Sequence, residues 1–311
     1  MNIVFDMMNC GLGDNGGTRT ILLCQKTLKA MGHRCVIFAA TDNFSWFKHD
    51  NVSSSISIDT DVIIATSCNT VSSVFRSKVP KKAWYIRAHE SWAMKDHQLR
   101  ACYNAGLFNI VNSKGLQRRL SSYGADSEVV YQGIDFDLWE NRNLRPTNKI
   151  RIGCLHTTQP RKRWKDFVEL SEILGMEKYE YVGIGNAKPT DTFLTDFKLN
   201  ANVEELNDLY SSCHIWFAPT ENEGLHNVPM EAALCGCLIV CSDHPLNGMI
   251  FDYAVKDMTA MVYEFGKIEQ AADCIRNPDW SLVEGMWSKL RIDINDREYN
   301  MKKLIEWLRS I

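Results

Sequence analysis

Residues 218–240 read APTENEGLHNVPMEAALCGCLIV. An apolar run ends at Pro219, two glutamates stand eight positions apart, small residues close at Gly236, and a second apolar run follows. The pattern is strand, loop, helix, strand. Pro229 suits the first turn of a helix, where its missing N–H costs little, and Asn227 suits the cap. Glu231 then falls in the first turn, where the helix dipole favours a carboxylate that can accept hydrogen bonds from a vicinal diol such as ribose. Glu223 sits in the strand-end loop and reaches the site from a different backbone element. The competing interpretation is a capping carboxylate beside a surface glutamate.

The same alternation extends outward from this stretch. Before it come the strand IRIGCL, a helix near RWKDFVELSEIL, the strand YEYVGIG, the helix NVEELNDLYSSC and the strand HIWFAP. The first half opens with the strand NIVFDMM. A helix follows with Ile21, Leu22, Leu28 and Met31 on one face and Gly32 as its stop, then the strand HRCVIFAA. Further strands are expected at DVIIAT, KAWYIRAH, LFNIVNS and SEVVYQG. Apolar strands joined by crossover-length connections predict parallel sheets covered on both faces. The polar stretch NRNLRPTNK divides the chain into two α/β domains, 1–145 and 146–311, with a ligand cleft expected between them. A final helix carries Tyr299, Leu304, Ile305 and Leu308 at helical intervals, and either caps the second domain or returns to the first.

Composition is that of a globular protein: 311 residues, 45% apolar, 23% charged, formal net charge -3. Bulk charge therefore does not direct the chain to nucleic acid or an anionic membrane, although a local basic patch is compatible with these numbers. The amino terminus lacks a basic segment leading into an apolar core, and no run of 18 apolar residues occurs, so the expected location is cytoplasmic, with peripheral membrane contact left open. Eleven scattered cysteines, an odd number, read as reduced thiols packed in the core. The glycosylation-type triplet Asn51-Val52-Ser53 carries no weight in such a location.

Two further stretches bear on chemistry. GLGDNGGTRT, residues 11–20, places Gly16 and Gly17 between the first strand and the first helix, as either a ligand-facing loop or a tight turn. It lacks the full dinucleotide fingerprint, which argues against a dehydrogenase. QPRKRWKD, residues 159–166, clusters Arg161, Lys162, Arg163 and Lys165 after a strand. These are either a solvated basic face or the groups that neutralise a departing diphosphate. Asp59 and Asp61 read as a loop cap, and Cys235, Cys237 and Cys241 near His244 as packing thiols, so no metal site is expected.

The stretch ENEGLHNVPMEAALCGCLIVCSD, residues 221–243, resembles the retaining glycosyltransferases of family 4, which have two facing Rossmann-like domains, the GT-B architecture. The resemblance extends to residues 14–39, 110–139 and 202–220. It implies that Glu223 lies near the donor sugar, that Glu231 binds the nucleotide ribose and that Asn227 and the Gly16-Gly17 loop line the site. It also implies diphosphate-binding cations after the first strand of the second domain: Arg163 aligns most naturally, Arg161 and Lys162 are rivals, and His156 stands near the expected arginine. His89 resembles a histidine facing the sugar. Gln132 replaces a familiar asparagine, and the 243–253 loop lacks the usual glycine-rich turn with its glutamate, leaving Asn247-Gly248 to offer backbone donors to phosphate.

The activity so implied is metal-independent transfer of a hexosyl group, with retention, from a UDP- or GDP-linked sugar to an acceptor hydroxyl, with no cofactor. The acceptor (glycan, lipid, protein, small molecule or nucleic acid) and the oligomeric state stay open. The competing class is a noncatalytic nucleotide- or sugar-binding protein with the same fold.

Overall fold

The computed structural model describes residues 1–50 and 52–311; Asn51, on which the glycosylation-type triplet turns, lies outside the described residues. The chain forms two compact units, Met1–Gly133 with Asp296–Ile311, and Ile134–Asn295.

The first unit is built on β1 (Asn2–Asp6), β2 (Arg34–Phe38), β3 (Val62–Ala65), β4 (Lys81–Ile86), β5 (Phe108–Val111) and β6 (Glu128–Val129). They pair in parallel in the order β2-β1-β3-β4-β5-β6. Strands covered on both faces are apolar throughout, as in the fully buried Val62-Ile63-Ile64-Ala65. The helices α1 (Gly16–Ala30), α2 (Val71–Arg76), α3 (Asp96–Tyr103) and α4 (Lys114–Ser122) supply the crossovers. One face packs Ile21, Leu22 and Leu28 of α1 with Met301, Leu304, Ile305 and Leu308 of the last helix, Arg297–Ser310. The other packs α2, α3 and α4 around Trp84. Tyr299 is 56% exposed, so the buried stripe of the last helix begins at Asn300 and Met301 instead.

In the second unit, β7 (Ile150–His156), β8 (Tyr179–Gly185), β9 (Leu194–Leu199), β10 (Ile215–Ala218), β11 (Leu238–Ser242) and β12 (Met261–Tyr263) pair in parallel as β12-β11-β10-β7-β8-β9. Between them run α5 (Trp164–Leu174), α6 (Val203–Ser212), α7 (Asn227–Leu234), α8 (Ile268–Arg276) and α9 (Leu282–Lys289), and the last helix of the chain is α10.

The unit boundary falls at Gly133–Ile134, not at 145–146, because residues 134–145 are fastened to the second unit. Trp139 packs against Tyr210 with ring centroids 5.7 Å apart. Arg142 pairs with Glu204 and Asp208 at 2.7 and 2.8 Å, and Arg145 Nε donates to Cys213 O at 2.9 Å. Within the first unit, Gly133 lies where the outgoing chain meets the returning one: its φ is +71°, and a Cβ there would stand 2.3 Å from Arg297 Cα.

Each sheet has one place where the chain reverses its direction of travel, between β1 and β3 in the first unit and between β7 and β10 in the second. Open parallel sheets bind ligands outside the carboxyl ends of the strands at such a switch point.

Candidate functional site

The second unit's switch point gathers charge. The turn after β7 carries Arg161 and Lys162, and the turn after β10 carries Glu223. Lys162 Nζ forms an ion pair with Glu223 Oε1. Arg161 Nη1 stands 3.6 Å from the same oxygen and donates to Asn222 O at 2.7 Å, while Glu221 N donates to Arg161 O at 2.9 Å. Glu223 is only 8% exposed. Burial alone would raise its pKa, but Lys162, with Arg161 behind it, outweighs burial and brings it down to about 2. Glu223 is therefore an ionised hydrogen-bond acceptor at neutral pH and not a proton donor.

Arg163 is placed elsewhere. It occupies the left-handed turn that joins residues 160–162 to α5, with φ +57°, and its side chain turns to Asp166: Nη2 to Oδ1 at 2.8 Å and Nε to Oδ2 at 3.0 Å. Its guanidinium lies 5.0 Å from the centroid of the Phe265 ring. Of the three rival cations, Lys162 and Arg161 are the ones brought to Glu223. His156, near the expected arginine, has Nδ1 2.6 Å from Ala187 O and packs edge-on against Trp164.

Helix α7 starts at Asn227, with His226 in the cap position at φ +43° and ψ 93°. Asn227 is thus the first helical residue and not the cap. Glu231 is the fifth, beyond the first turn, so dipole stabilisation is not what holds it there. It is buried within α7, with Oε2 3.4 Å from Tyr210 Oη.

The 243–248 loop is strapped to the glutamate turn. Glu223 N donates to Leu246 O at 3.0 Å, and Gly248 N donates back to Glu223 O at 3.0 Å. Asn247 N donates to His244 O at 2.8 Å, and Asn247 Nδ2 to Ser242 O at 3.0 Å. The expectation that the Asn247 and Gly248 backbone donors face a phosphate is corrected accordingly: both bond within the protein. Gly248 is required here, because a Cβ would lie 1.9 Å from Gly224 O.

In the first unit, Gly16 and Gly17 open α1, whose cap Asn15 accepts from Thr18 N at 2.9 Å. Arg87 rests on this turn: Nη1 donates to Gly17 O and Nη2 to Thr66 O at 2.6 Å. A Cβ at Gly17 would sit 3.0 Å from Asn15 Oδ1 and 3.1 Å from Arg87 Nη1, so a side chain there would crowd both. Arg87 ties the loop after β1 to the end of β3 across the unit's switch point, and sequence reasoning passed it over. Its neighbour His89 is 3% exposed, with Nδ1 3.0 Å from Tyr103 Oη and Nε2 3.3 Å from Asp96 Oδ1. Burial, with Arg119, lowers its pKa to about 4 against the pull of Asp96, so the ring is neutral at pH 7.

Asp61 Oδ2 accepts from Asn2 N at 2.7 Å and Asp59 pairs with Arg34 at 3.0 Å, which makes both carboxylates anchors at the start of the sheet. All eleven cysteines are free thiols; Cys235 Sγ meets Asn207 Oδ1 and Cys237 Sγ meets Tyr210 O. Among the described residues no group of three His, Cys, Asp or Glu side chains is placed to hold a metal ion, and no helix is long and apolar enough to cross a membrane.

Residues 152–277 match the family model of glycosyl transferases group 1. No curated relative matches the sequence. Sucrose-phosphate synthase from Thermosynechococcus elongatus matches with a TM-score of 0.80 at 12% identity, over 99% of this chain and 98% of that one. HepE from Anabaena, in complex with UDP and glucose, matches with a TM-score of 0.78 at 13% identity, over 100% of each chain. A glycosyltransferase from Rickettsia africae matches with a TM-score of 0.74 at 13% identity, over 99% and 98%. At such identities the likeness is one of fold. The chain thus has the GT-B fold of these two-unit enzymes, and its group 1 match lies in the second unit, where Arg161, Lys162, Glu223 and Glu231 stand.

Proposed function

We propose that this chain is a retaining glycosyltransferase of the family 4 type, moving a hexosyl group from a nucleoside-diphosphate sugar to an acceptor hydroxyl without a metal ion. The observation that carries the reading is the ion cluster of Arg161, Lys162 and Glu223 at the carboxyl ends of β7 and β10, the switch point of a parallel sheet. Two cations there suit a diphosphate, whose charge grows as it leaves. Glu223, ionised, accepts hydrogen bonds from sugar hydroxyls. Glu231, on the adjoining helix, accepts them from the ribose diol. Of the UDP- and GDP-linked donors, the UDP-linked one is the reading put to the test first, supported by the complex of the similarly folded HepE with UDP-glucose.

Retention follows from attack on the face that the diphosphate vacates. The acceptor oxygen bonds to the anomeric carbon as the bond from that carbon to the phosphate oxygen breaks. The electron pair goes to the diphosphate, and one of its oxygens takes the acceptor's proton. This route asks the protein for charge stabilisation and orientation, not for a nucleophile.

The test is incubation with UDP-glucose or GDP-mannose and a panel of acceptors, with mass-balanced products and the anomeric configuration read by NMR. Transfer with the donor's configuration kept, undiminished by chelator, is expected. Hydrolysis alone, inversion, or activity lost to chelation and restored by a divalent ion opposes the reading. The second reading, a noncatalytic nucleotide- or sugar-binding protein, is favoured by one observation, the strap that engages the Asn247 and Gly248 backbone donors. Calorimetric binding without turnover in every acceptor mixture supports it.

A further inference from the structure

His226 combines two unfavourable features at one position. Its φ of +43° lies in the left-handed region, which strains a residue bearing a side chain and leaves glycine unstrained. Its imidazole is buried, at 8% exposed, and neither Nδ1 nor Nε2 has a hydrogen-bond partner among the described residues. The backbone is held in this conformation by Tyr253, whose buried Oη donates to His226 O at 2.8 Å. Two other buried atoms in the turns around Glu223, Thr220 Oγ1 and Asn247 Oδ1, also lack partners among the described residues.

The ring stands within the field of Lys162, Glu223 and Arg161. Burial, with Lys162 and Arg161, brings its pKa down to about 3, so it is a neutral imidazole with one N–H to give. Glu223, three residues earlier in the same turn, depends on Lys162, the cation that an arriving oxyanion competes for.

We propose that His226 is a positioning residue whose ring N–H takes over the Glu223 carboxylate when the diphosphate of the donor draws Lys162 away. Glu223 thereby keeps its charge and orientation at the sugar while Lys162 serves the leaving group. The proposal deepens the transferase reading and rests on it for the ligand.

The experiment compares wild type, His226→Gly and His226→Asn. Glycine removes both the strain and the imidazole; asparagine tolerates a left-handed backbone and restores an N–H. Without ligand, His226→Gly is expected to melt above wild type. With UDP-glucose as the calorimetric probe, it is expected to bind about tenfold more weakly, a loss that asparagine partly recovers. Binding within twofold of wild type overturns the proposal.

A second arm needs no ligand. In a Lys162→Met background the imidazole already supports Glu223, so His226→Gly is expected there to lower the melting temperature. An equal rise in both backgrounds overturns the proposal. Wild-type protein that binds neither UDP-glucose nor GDP-mannose defeats the transferase reading, while this second arm still decides the role of His226.

Discussion

Lys162 holds the charge of buried Glu223, while burial lowers the pKa of Lys162 itself against the pull of Glu223, and this sets what substitution does. The folded pKa of Glu223, about 2, lies below its ordinary 4.5. The group therefore contributes stability that is full above pH 4.5 and lost as pH falls through about 2, roughly 3 kcal/mol in all. Glu223→Gln is expected to destabilise by a similar amount at pH 7, with the gap to wild type narrowing from pH 4.5 downward. Denaturant titrations of both proteins at several pH values check this; a gap that ignores pH assigns the loss to packing instead. Glu231→Ala removes a buried acceptor, and nucleotide affinity is expected to drop by about 1.5 to 3 kcal/mol, measured by calorimetry against a thermal-unfolding control. The two glutamates were legible as a pair because their spacing brackets a helix entrance. Which cation meets them was not. Choosing among Arg161, Lys162 and Arg163 depends on one left-handed residue in the turn, and several positions there satisfy any local rule.

At the scale of elements, strands buried on both faces announced themselves as apolar runs, and β1, β3, β4, β7, β8, β10 and β11 all read in that way. β9 did not: Leu194–Leu199 is an edge strand with Thr195, Asp196 and Lys198 in it, where half-exposure removes the apolar signature. β12 has only three residues, too few to show a period. The SEVVYQG segment forms only the two-residue strand Glu128–Val129 before the chain turns away through Gly133. The strap between the 243–248 loop and the glutamate turn was illegible for a different reason, since it joins backbone atoms across more than twenty residues and leaves no side-chain pattern. Its dependence on Gly248 is testable. Gly248→Ala forces a Cβ against the Gly224 carbonyl, and a loss of about 1 to 3 kcal/mol is expected, as for other overpacked sites. Since Glu223 is fastened by this strap, UDP-glucose affinity is expected to fall with it. Melting temperature and affinity measured on the same sample check the coupling, and a stable variant with intact affinity removes the strap from the site.

At the scale of the whole molecule, the first unit is discontinuous, so its stability depends on the end of the chain. Deleting residues 296–311 strips Met301, Leu304, Ile305 and Leu308 from the core over α1. Amide hydrogen exchange is expected to show loss of protection throughout the first unit and retention in the second; uniform loss in both contradicts their independence. The partition also changes the meaning of net charge. The chain total of -3 conceals 19 Lys and Arg against 13 Asp and Glu in the first unit, and 16 against 25 in the second. Residues 76–119 alone hold ten Lys and Arg against Glu90 and Asp96. The carboxylates of both are engaged locally, Glu90 by Ser67 and Cys68 N, Asp96 by Tyr123 and His89. Because α2, α3 and α4 pack on one face of the sheet, exposed Arg76, Lys78, Lys95, Arg100 and Lys114 belong to a single helical layer and its edges. On the transferase reading proposed above, such a layer is expected to favour an acceptor that carries negative charge. Between matched acceptors with the same hydroxyl, the anionic one is expected to show the higher kcat/KM. That advantage should shrink as salt rises from about 0.05 to 0.5 M and the screening length contracts. A charge-reversed first unit, Lys95→Glu with Arg100→Glu, should lose the preference while keeping its affinity for UDP-glucose. Equal kcat/KM for both acceptors at low salt leaves the charge asymmetry without a part in acceptor choice.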